Sequence, residues 1–406
     1  MASGGRMKNI VVVGAGQAGA SLVARLRAKG FDGTITLLGE EPVPPYQRPP
    51  LSKAYLLGDM AVERLFLRPE SFYADQGVDL RMGARAMGID RAARTVAVGD
   101  DTLPYDALAL TTGSVPRCLP ASVGGNLPGV HTVRGLADVN AMAVEFRPGA
   151  RVVIVGGGYI GLEAAAVAAK RGLDVTVLEM APRILARVAA QETAEAMHAL
   201  HEAHGVRILT NAALERIDGL ERVTGVTLAD GTQLPADFMI VGIGISPATD
   251  LAEVAGLILD NGIATDAQGR SSDPAIWAAG DCASFPWQGG RLRLESVQNA
   301  IDMAENVADN MLGAGRAYVP MPWFWSDQYD MKLQIAGLNT GYDRVVVRQA
   351  PARSHWYFKG DTLISVDALG DPRAYMVGKR MIEQGINPDP AALVKPETDL
   401  KALLQA

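Results

Sequence analysis

The sequence predicts an α/β protein built from two Rossmann-like nucleotide-binding domains and a C-terminal α+β domain. Three observations lead there. Gly14-Ala-Gly16-Gln-Ala-Gly19 directly follows the apolar run Ile10–Val13. Gly156-Gly-Gly158-Tyr-Ile-Gly161 follows Val152–Val155 in the same way. An acid stands after the next apolar run in both places, Glu40 after Thr34–Leu38 and Glu179 after Val175–Leu178. A single GxGxxG is a weak sign. Two copies with strand, helix and acid in register form a dinucleotide fingerprint used twice.

In each copy the first glycine permits the turn. The second lets the backbone approach a pyrophosphate, and the third lets helix pack on strand. The helix start offers N–H groups and a positive partial charge to phosphates. Ala18 lies inside the first fingerprint, and Tyr159 and Ile160 inside the second. Glu40 and Glu179 are expected to accept hydrogen bonds from ribose hydroxyls. An acid at 179 repels a 2′-phosphate and favours NADH. Arg183 and Arg187 follow closely, and arginine can hold a 2′-phosphate, so NADPH stays open.

The remaining elements fall around these two units. Residues 7–40 read as strand, helix, strand, with the helix at Ala18–Ala28 ended by Gly30. A proline-rich loop, Pro42 to Lys53, breaks the pattern. Short strands then lead to Leu108-Ala-Leu-Thr-Thr112-Gly113. The second unit has a helix over Ile160–Arg171 closed by Gly172, and another over Gln191–His204 closed by Gly205. Val241-Gly242-Ile-Gly-Ile-Ser-Pro247 reads as a return to the first domain. Ile276-Trp-Ala-Ala-Gly280-Asp281 is a further strand and glycine turn, and Glu295–Met311 a long helix. Past residue 322 the texture turns antiparallel. Strands are expected at Arg344–Arg348, Ser354–Lys359 and Thr362–Asp367, with a tight turn at Gly360-Asp361 and a helix near Ala374–Glu383. The domains are therefore 7–115 with 246–321, then 116–245, then 322–406.

Composition narrows the function classes. The chain has 406 residues, too many for one core. A net charge of −7 argues against nucleic-acid binding. The most membrane-like stretch, Val152–Ala169, contains Glu163 and is explained by the second fingerprint, so no membrane span is expected. The first residues lack the apolar stretch of a signal peptide, and Met7 is a candidate original start. The two cysteines, Cys118 and Cys282, form no CxxC, which points to a reduced, cytoplasmic setting. His198, His201 and His204 tempt a metal reading. His201-Glu-Ala-His204 is one residue short of HExxH, so they read as one face of a helix, and no metal is expected.

The order of these segments resembles the FAD-dependent NADH–ferredoxin reductases, the putidaredoxin-reductase-like enzymes that serve haem-thiolate monooxygenases and ring-hydroxylating dioxygenases. Gly14–Gly19, Arg48-Pro-Pro-Leu-Ser-Lys53, Thr112-Gly113, Gly156–Glu163, Gly280-Asp281, Glu295-Ser-Val-Gln-Asn-Ala300 and Pro322-Trp-Phe-Trp-Ser-Asp-Gln-Tyr329 carry the resemblance, which covers nearly the whole chain. Thr111 stands where alanine is commoner, and little consequence is expected. The resemblance implies a glutathione-reductase-like flavoprotein fold. FAD then belongs to residues 7–115 and 246–321, and NADH to residues 116–245.

It also assigns roles. Gly14, Gly16, Ala18, Gly19, Glu40, Thr112, Gly113, Arg117, Gly280 and Asp281 fall to FAD, with Asp281 on the ribityl chain. Arg48 and Lys53 sit near the flavin, Lys53 at its reactive edge. Ser296 and Val297 lie against the isoalloxazine at a helix start, which favours negative charge on reduced flavin. Gly156, Gly158, Tyr159, Ile160, Gly161, Glu179 and Gly242 fall to the nicotinamide nucleotide. Glu163 approaches the nicotinamide and forms an ion pair with Lys53, the two residues implied in catalysis. Trp325 lies between flavin and acceptor, with packing at a domain interface the equal alternative for it and Trp323. Hydride passes directly from nicotinamide to flavin, so the protein stacks, aligns and neutralises.

Absences discriminate among relatives. Residues 41–60 contain no cysteine, and no cysteine pair exists for disulfide reduction. Electrons then have no thiol relay, and a 2Fe–2S ferredoxin is the natural acceptor. Ferredoxins are usually acidic, so a basic docking patch is expected, with Arg291, Arg293, Lys379 and Arg380 as candidates. The protein is expected to be a monomer or weak homodimer. The alternative function is an NADH-responsive flavin-bearing sensor resembling apoptosis-inducing factor. An NADH oxidase or peroxidase is disfavoured by the missing loop cysteine.

Overall fold

The computed structural model describes residues 7–404; residues 1–6 and the last two residues of the domain read as 322–406 lie outside it. The chain forms two compact units. The first comprises residues 1–47, 62–115 and 246–321, and the second residues 48–61, 116–245 and 322–406. The proline-rich segment 48–61, read with the first domain in the sequence, packs into the second unit. The segments 116–245 and 322–406, read as separate domains, form one contact unit.

The first unit is built on a five-stranded parallel sheet in the spatial order Ile276–Ala278, Ala107–Leu110, Asn9–Val13, Thr34–Leu38, Val78–Arg81. The strands Ile276–Ala278 and Ala107–Leu110 and residues 10–13 of the central strand are apolar without alternation because both faces are covered, whereas the edge strand Val78–Arg81 carries Asp79 and Arg81. Val12, Leu108 and Leu37 are fully buried. The fingerprint helix, Gln17–Ala28, and the long helix Val297–Met311 lie together, joined where Arg25 donates to both Asp309 carboxylate oxygens at 2.8 Å. The long helix starts two residues later than the sequence pattern indicates. Glu295 and Ser296 precede it, and Ser296 Oγ accepts the Asn299 N–H at 3.1 Å as its N-cap.

The second unit repeats the plan. Its parallel sheet runs Arg207–Leu209, Asp174–Leu178, Arg151–Val155, Phe238–Val241, Val130–Thr132. In both sheets the fingerprint strand is central. One neighbour follows its own helix, and the other returns from far along the chain. That reversal of direction is the switch point at which α/β sheets bind ligands. The stretch Val152–Ala169 is divided between a strand and the helix Tyr159–Lys170. Among the described residues no helix is long and apolar enough to cross a membrane.

The C-terminal part of this unit is a five-stranded antiparallel sheet backed by the helix Pro372–Gln384. The three expected strands occur as Arg344–Gln349, Arg353–Lys359 and Thr362–Leu369. Two more, Trp323–Gln328 and Met331–Gly337, were not read from the sequence. Tyr329 makes their turn with φ of 58°, a conformation usually left to Gly or Asn, so ordinary turn chemistry does not mark it.

Candidate nucleotide sites and a buried ion pair

The two fingerprints are built alike at every glycine. Gly14 has φ of +111°, and a Cβ there would meet Thr111 O at 2.2 Å. Gly156 has φ of +110°, and its Cβ would meet Gly242 O at 2.3 Å. Each first glycine thus lets the turn close against the strand that returns beside it. A Cβ on Gly19 would lie 2.1 Å from Gly14 O, and one on Gly161 2.1 Å from Gly156 O. Each third glycine lets the helix sit down on its own turn.

The second glycines behave oppositely. A Cβ on Gly16 or Gly158 would meet no protein atom within 4 Å. These positions spare space for something outside the chain. Both fingerprint helices also lack a side-chain cap and have no acid in the first turn. Helix starts normally recruit such groups. Helix starts with no side-chain cap, no first-turn acid and no neighbour at the Gly16 and Gly158 Cβ positions fit a dinucleotide pyrophosphate.

The surroundings of each turn differ. In the first unit Thr111 Oγ1 donates to Gly14 O at 2.8 Å, so this threonine ties the fingerprint to the neighbouring strand, a consequence not expected from the substitution. Thr112 Oγ1 donates to Ala248 O at 2.6 Å, and Gly113 turns with φ of +71°. Gly280, at φ of +83°, lies where a Cβ would crowd Ala18 at 3.1 Å. Asp281 caps no helix; its carboxylate accepts from Ser114 Oγ at 2.8 Å. Glu40 is exposed and pairs with Arg85 at 3.1 Å. Cys282 is fully buried, and burial pushes its thiol up. Cys118 is exposed.

In the second unit Glu179 accepts the N–H of Gly157 and that of Ala181, both at 2.8 Å. The carboxylate is therefore oriented by the glycine turn itself. Ile160 is exposed at the helix start, while the Tyr159 hydroxyl is buried and its ring lies against Phe324. Arg117 is exposed, and its N–H donates to Gly244 O at 2.9 Å.

Glu163 is buried on the fingerprint helix, 3% exposed, with Lys53 Nζ 3.1 Å from its Oε1. Ser52 Oγ donates to Oε2 at 2.9 Å and Ser326 Oγ to Oε1 at 2.7 Å. Burial raises the carboxyl above its ordinary value; Lys53 and the two hydroxyls pull it back. Asp327 adds a second carboxylate 3.8 Å from Lys53 Nζ, and the ammonium lies 5.9 Å over the Trp325 ring. Arg48 stands at the start of the short helix Pro49–Ser52 and donates to Arg134 O at 2.7 Å. The sequence pointed to Lys53, Glu163 and Trp325. It missed Ser52, Ser326 and Asp327, because the contacts span more than a hundred residues and carry no local pattern.

The docking candidates separate. Arg293 pairs with Glu295 at 2.6 Å and is only 10% exposed, and Arg291 donates to the carbonyl of Thr265 at 2.8 Å. Both are held by their own unit. Lys379 lies over the Trp323 ring and pairs with Glu383, and Arg380 is exposed on the same helix. Of the histidines, His201 is buried and hydrogen-bonded to Gln328, and His204 stacks on Tyr329.

Comparison with known proteins agrees with this geometry. Residues 8–304 match the family model "Pyridine nucleotide-disulphide oxidoreductase", and residues 323–404 match "Reductase C-terminal". The chain is 42% identical to rhodocoxin reductase of Rhodococcus erythropolis over 95% of its length and 92% of the relative's. It is also 42% identical to a ferredoxin–NAD(P)(+) reductase of a Sphingomonas species, covering 97% of each. The reductase in a covalent putidaredoxin reductase–putidaredoxin complex superposes with a TM-score of 0.95 at 39% identity, covering 98% of both chains. The chain lacks the cysteine pair of disulfide-reducing members, yet it shares their paired nucleotide folds and the C-terminal reductase domain of its relatives. It belongs to the pyridine nucleotide-disulphide oxidoreductase family, as an FAD- and NAD(P)H-dependent enzyme of the ferredoxin reductase branch.

Proposed function

We propose that this chain oxidises NADH and passes electrons singly to a 2Fe–2S ferredoxin in the cytoplasm. The ferredoxin in turn supplies a haem-thiolate monooxygenase or a ring-hydroxylating dioxygenase. The observation that carries the reading is the pair of uncapped fingerprint helices with space at Gly16 and Gly158. FAD accepts a hydride as an electron pair and releases electrons one at a time, which joins a nicotinamide to a one-electron carrier.

The residues divide the work. Gly14, Gly16, Gly19, Glu40, Thr112, Gly113, Gly280 and Asp281 hold FAD, with Ser296 and Val297 supplying a helix start. Gly156, Gly158, Gly161, Glu179 and Gly242 hold NADH, and Ile160 lies along it. Glu179, with its carboxylate fixed by Gly157 and Ala181, receives ribose hydroxyls and disfavours a 2′-phosphate. Lys53 and Glu163 neutralise each other in a buried place and align the nicotinamide. Trp325 and the Lys379–Arg380 surface face the acceptor. The absence of a cysteine pair agrees with an acceptor that needs no thiol relay.

Cytochrome c reduction by NADH, with and without purified 2Fe–2S ferredoxins, tests the reading. Strong dependence on one ferredoxin is expected. Flavin reduction by NADH with no transfer to any ferredoxin would overturn it in favour of a sensor.

A further inference from the structure

A run of hydrogen bonds leads away from Glu163 through the interior of the second unit. Ser326 Oγ lies 2.7 Å from Glu163 Oε1, and Gln328 Nε2 lies 3.0 Å from Ser326 Oγ. Gln328 Oε1 is 2.6 Å from His201 Nε2, and the Tyr329 hydroxyl is 3.1 Å from His201 Nδ1. Ser326, Gln328 and His201 are fully buried. Past them the Tyr329 ring stacks at 3.6 Å on His204, which is exposed.

The direction of this chain follows from its inner end. An ionised carboxylate only accepts hydrogen bonds. Ser326 has one proton, and a charged acceptor outcompetes a neutral amide oxygen for it. Ser326 must then accept from Gln328, so the amide NH2 faces the serine and the amide oxygen faces His201. That oxygen requires a proton on His201 Nε2. Burial pushes His201 down to about 4, so the ring is neutral and Nδ1 is left to accept from Tyr329. Every donor points toward Glu163, and such dipoles reinforce one another.

We infer that Tyr329, His201, Gln328 and Ser326 are positioning residues that together form a one-way donor chain holding Glu163 ionised against Lys53. The inference rests on the role proposed above for that pair. The charged and titratable groups nearby are few. Lys53 faces Glu163, and Asp327 lies on the other side of that ammonium, 3.8 Å from its Nζ. His198, paired with Glu202 at 3.3 Å, and His204 stand beside His201. No carboxylate among the described residues pairs with His201, so nothing there calls for an imidazolium.

The chain predicts a protonation pattern at His201, the third residue along the run from Glu163. The protein has five histidines, few enough to resolve in a side-chain 15N spectrum of the holoenzyme labelled at histidine. His201 is expected as a single neutral tautomer, protonated at Nε2, from pH 5 to 8. In Ser326→Ala the amide of Gln328 loses its anchor, and His201 is expected to show mixed tautomers. The same variant should move the acidic limb of single-turnover flavin reduction by NADH upward by about one pH unit, since the carboxylate loses a donor. A His201 protonated at Nδ1, or one that titrates near its ordinary value, would overturn the chain. So would a Ser326→Ala enzyme with both tautomer and pH limb unchanged. The wild-type spectrum needs no variant. If Lys53→Ala leaves flavin reduction untouched while the tautomer is as expected, the hydrogen-bond chain stands and the role of the pair fails.

Discussion

Lys53 and Glu163 show how little a buried charge can do alone. Glu163 is tolerated because an ammonium and two hydroxyls meet it; burial still leaves its carboxyl raised. The direction of that shift sets a sign. As pH falls through a raised value, Glu163 takes up a proton and its attraction to Lys53 disappears, so flavin reduction should weaken on the acid side. Lys53→Ala removes the largest opposing influence. We expect stopped-flow reduction by NADH about tenfold slower or worse, with the acidic limb displaced further upward; unchanged kinetics would remove the pair from the mechanism. A second buried acid offers a stability counterpart. Asp367 is fully buried, bonded to the Tyr357 hydroxyl and to Thr193 at 2.7 Å, and burial raises it to about 6. An acid raised in the folded state contributes fully below its unfolded value and costs stability once pH passes the folded one. Asp367→Asn should therefore gain stability relative to the parent between pH 4 and pH 8, by about 3 kcal/mol at the upper end. Thermal melts across that range check it, and a gain that shrinks with pH would sink the argument.

At the scale of an element, a fingerprint is three glycines with three different reasons. Gly158 has open space where a side chain would be, while a Cβ on Gly161 would lie 2.1 Å from Gly156 O. The two alanine variants should separate binding from folding. Gly158→Ala is expected to melt like the parent and to raise the KM for NADH at least about tenfold, because the methyl occupies pyrophosphate space. Gly161→Ala is expected to lose about 3 kcal/mol or more, because backbone rather than a flexible side chain stands in the way. Equal melting temperatures for the two would contradict the geometry. Glu179 belongs to the same element, since it caps the turn through Gly157. Glu179→Ala should narrow the preference for NADH over NADPH and weaken both nucleotides. A preference that stays fixed would assign the ribose to another residue.

At the scale of the whole molecule, an acidic chain of net charge −7 must meet an acceptor that is itself usually acidic. Local rather than total charge has to steer that encounter. Arg293 is largely buried against Glu295, while Arg380 is exposed on the helix Pro372–Gln384 and is the candidate taken for the test. Arg380→Glu should raise the KM for ferredoxin several-fold, more at low salt than at high, while flavin reduction by NADH stays as in the parent. A KM insensitive to both the substitution and ionic strength would place docking elsewhere.

What the sequence determined by itself is local or repeated. The glycine turns, the apolar strands before them and the acids after them are consecutive in the chain, so their geometry was legible there, as were most helix limits. Even so, the start of the long helix was decided by a serine cap rather than by apolar spacing, and the strands Trp323–Gln328 and Met331–Gly337 were hidden by a turn on Tyr329 that carries no glycine. Only the tertiary structure brought Ser52 and Ser326 to Glu163 and set Gln328 against His201. Periodicity reports which face of an element is buried; it holds no record of which distant hydroxyl satisfies a buried charge, because that choice is made when the elements pack.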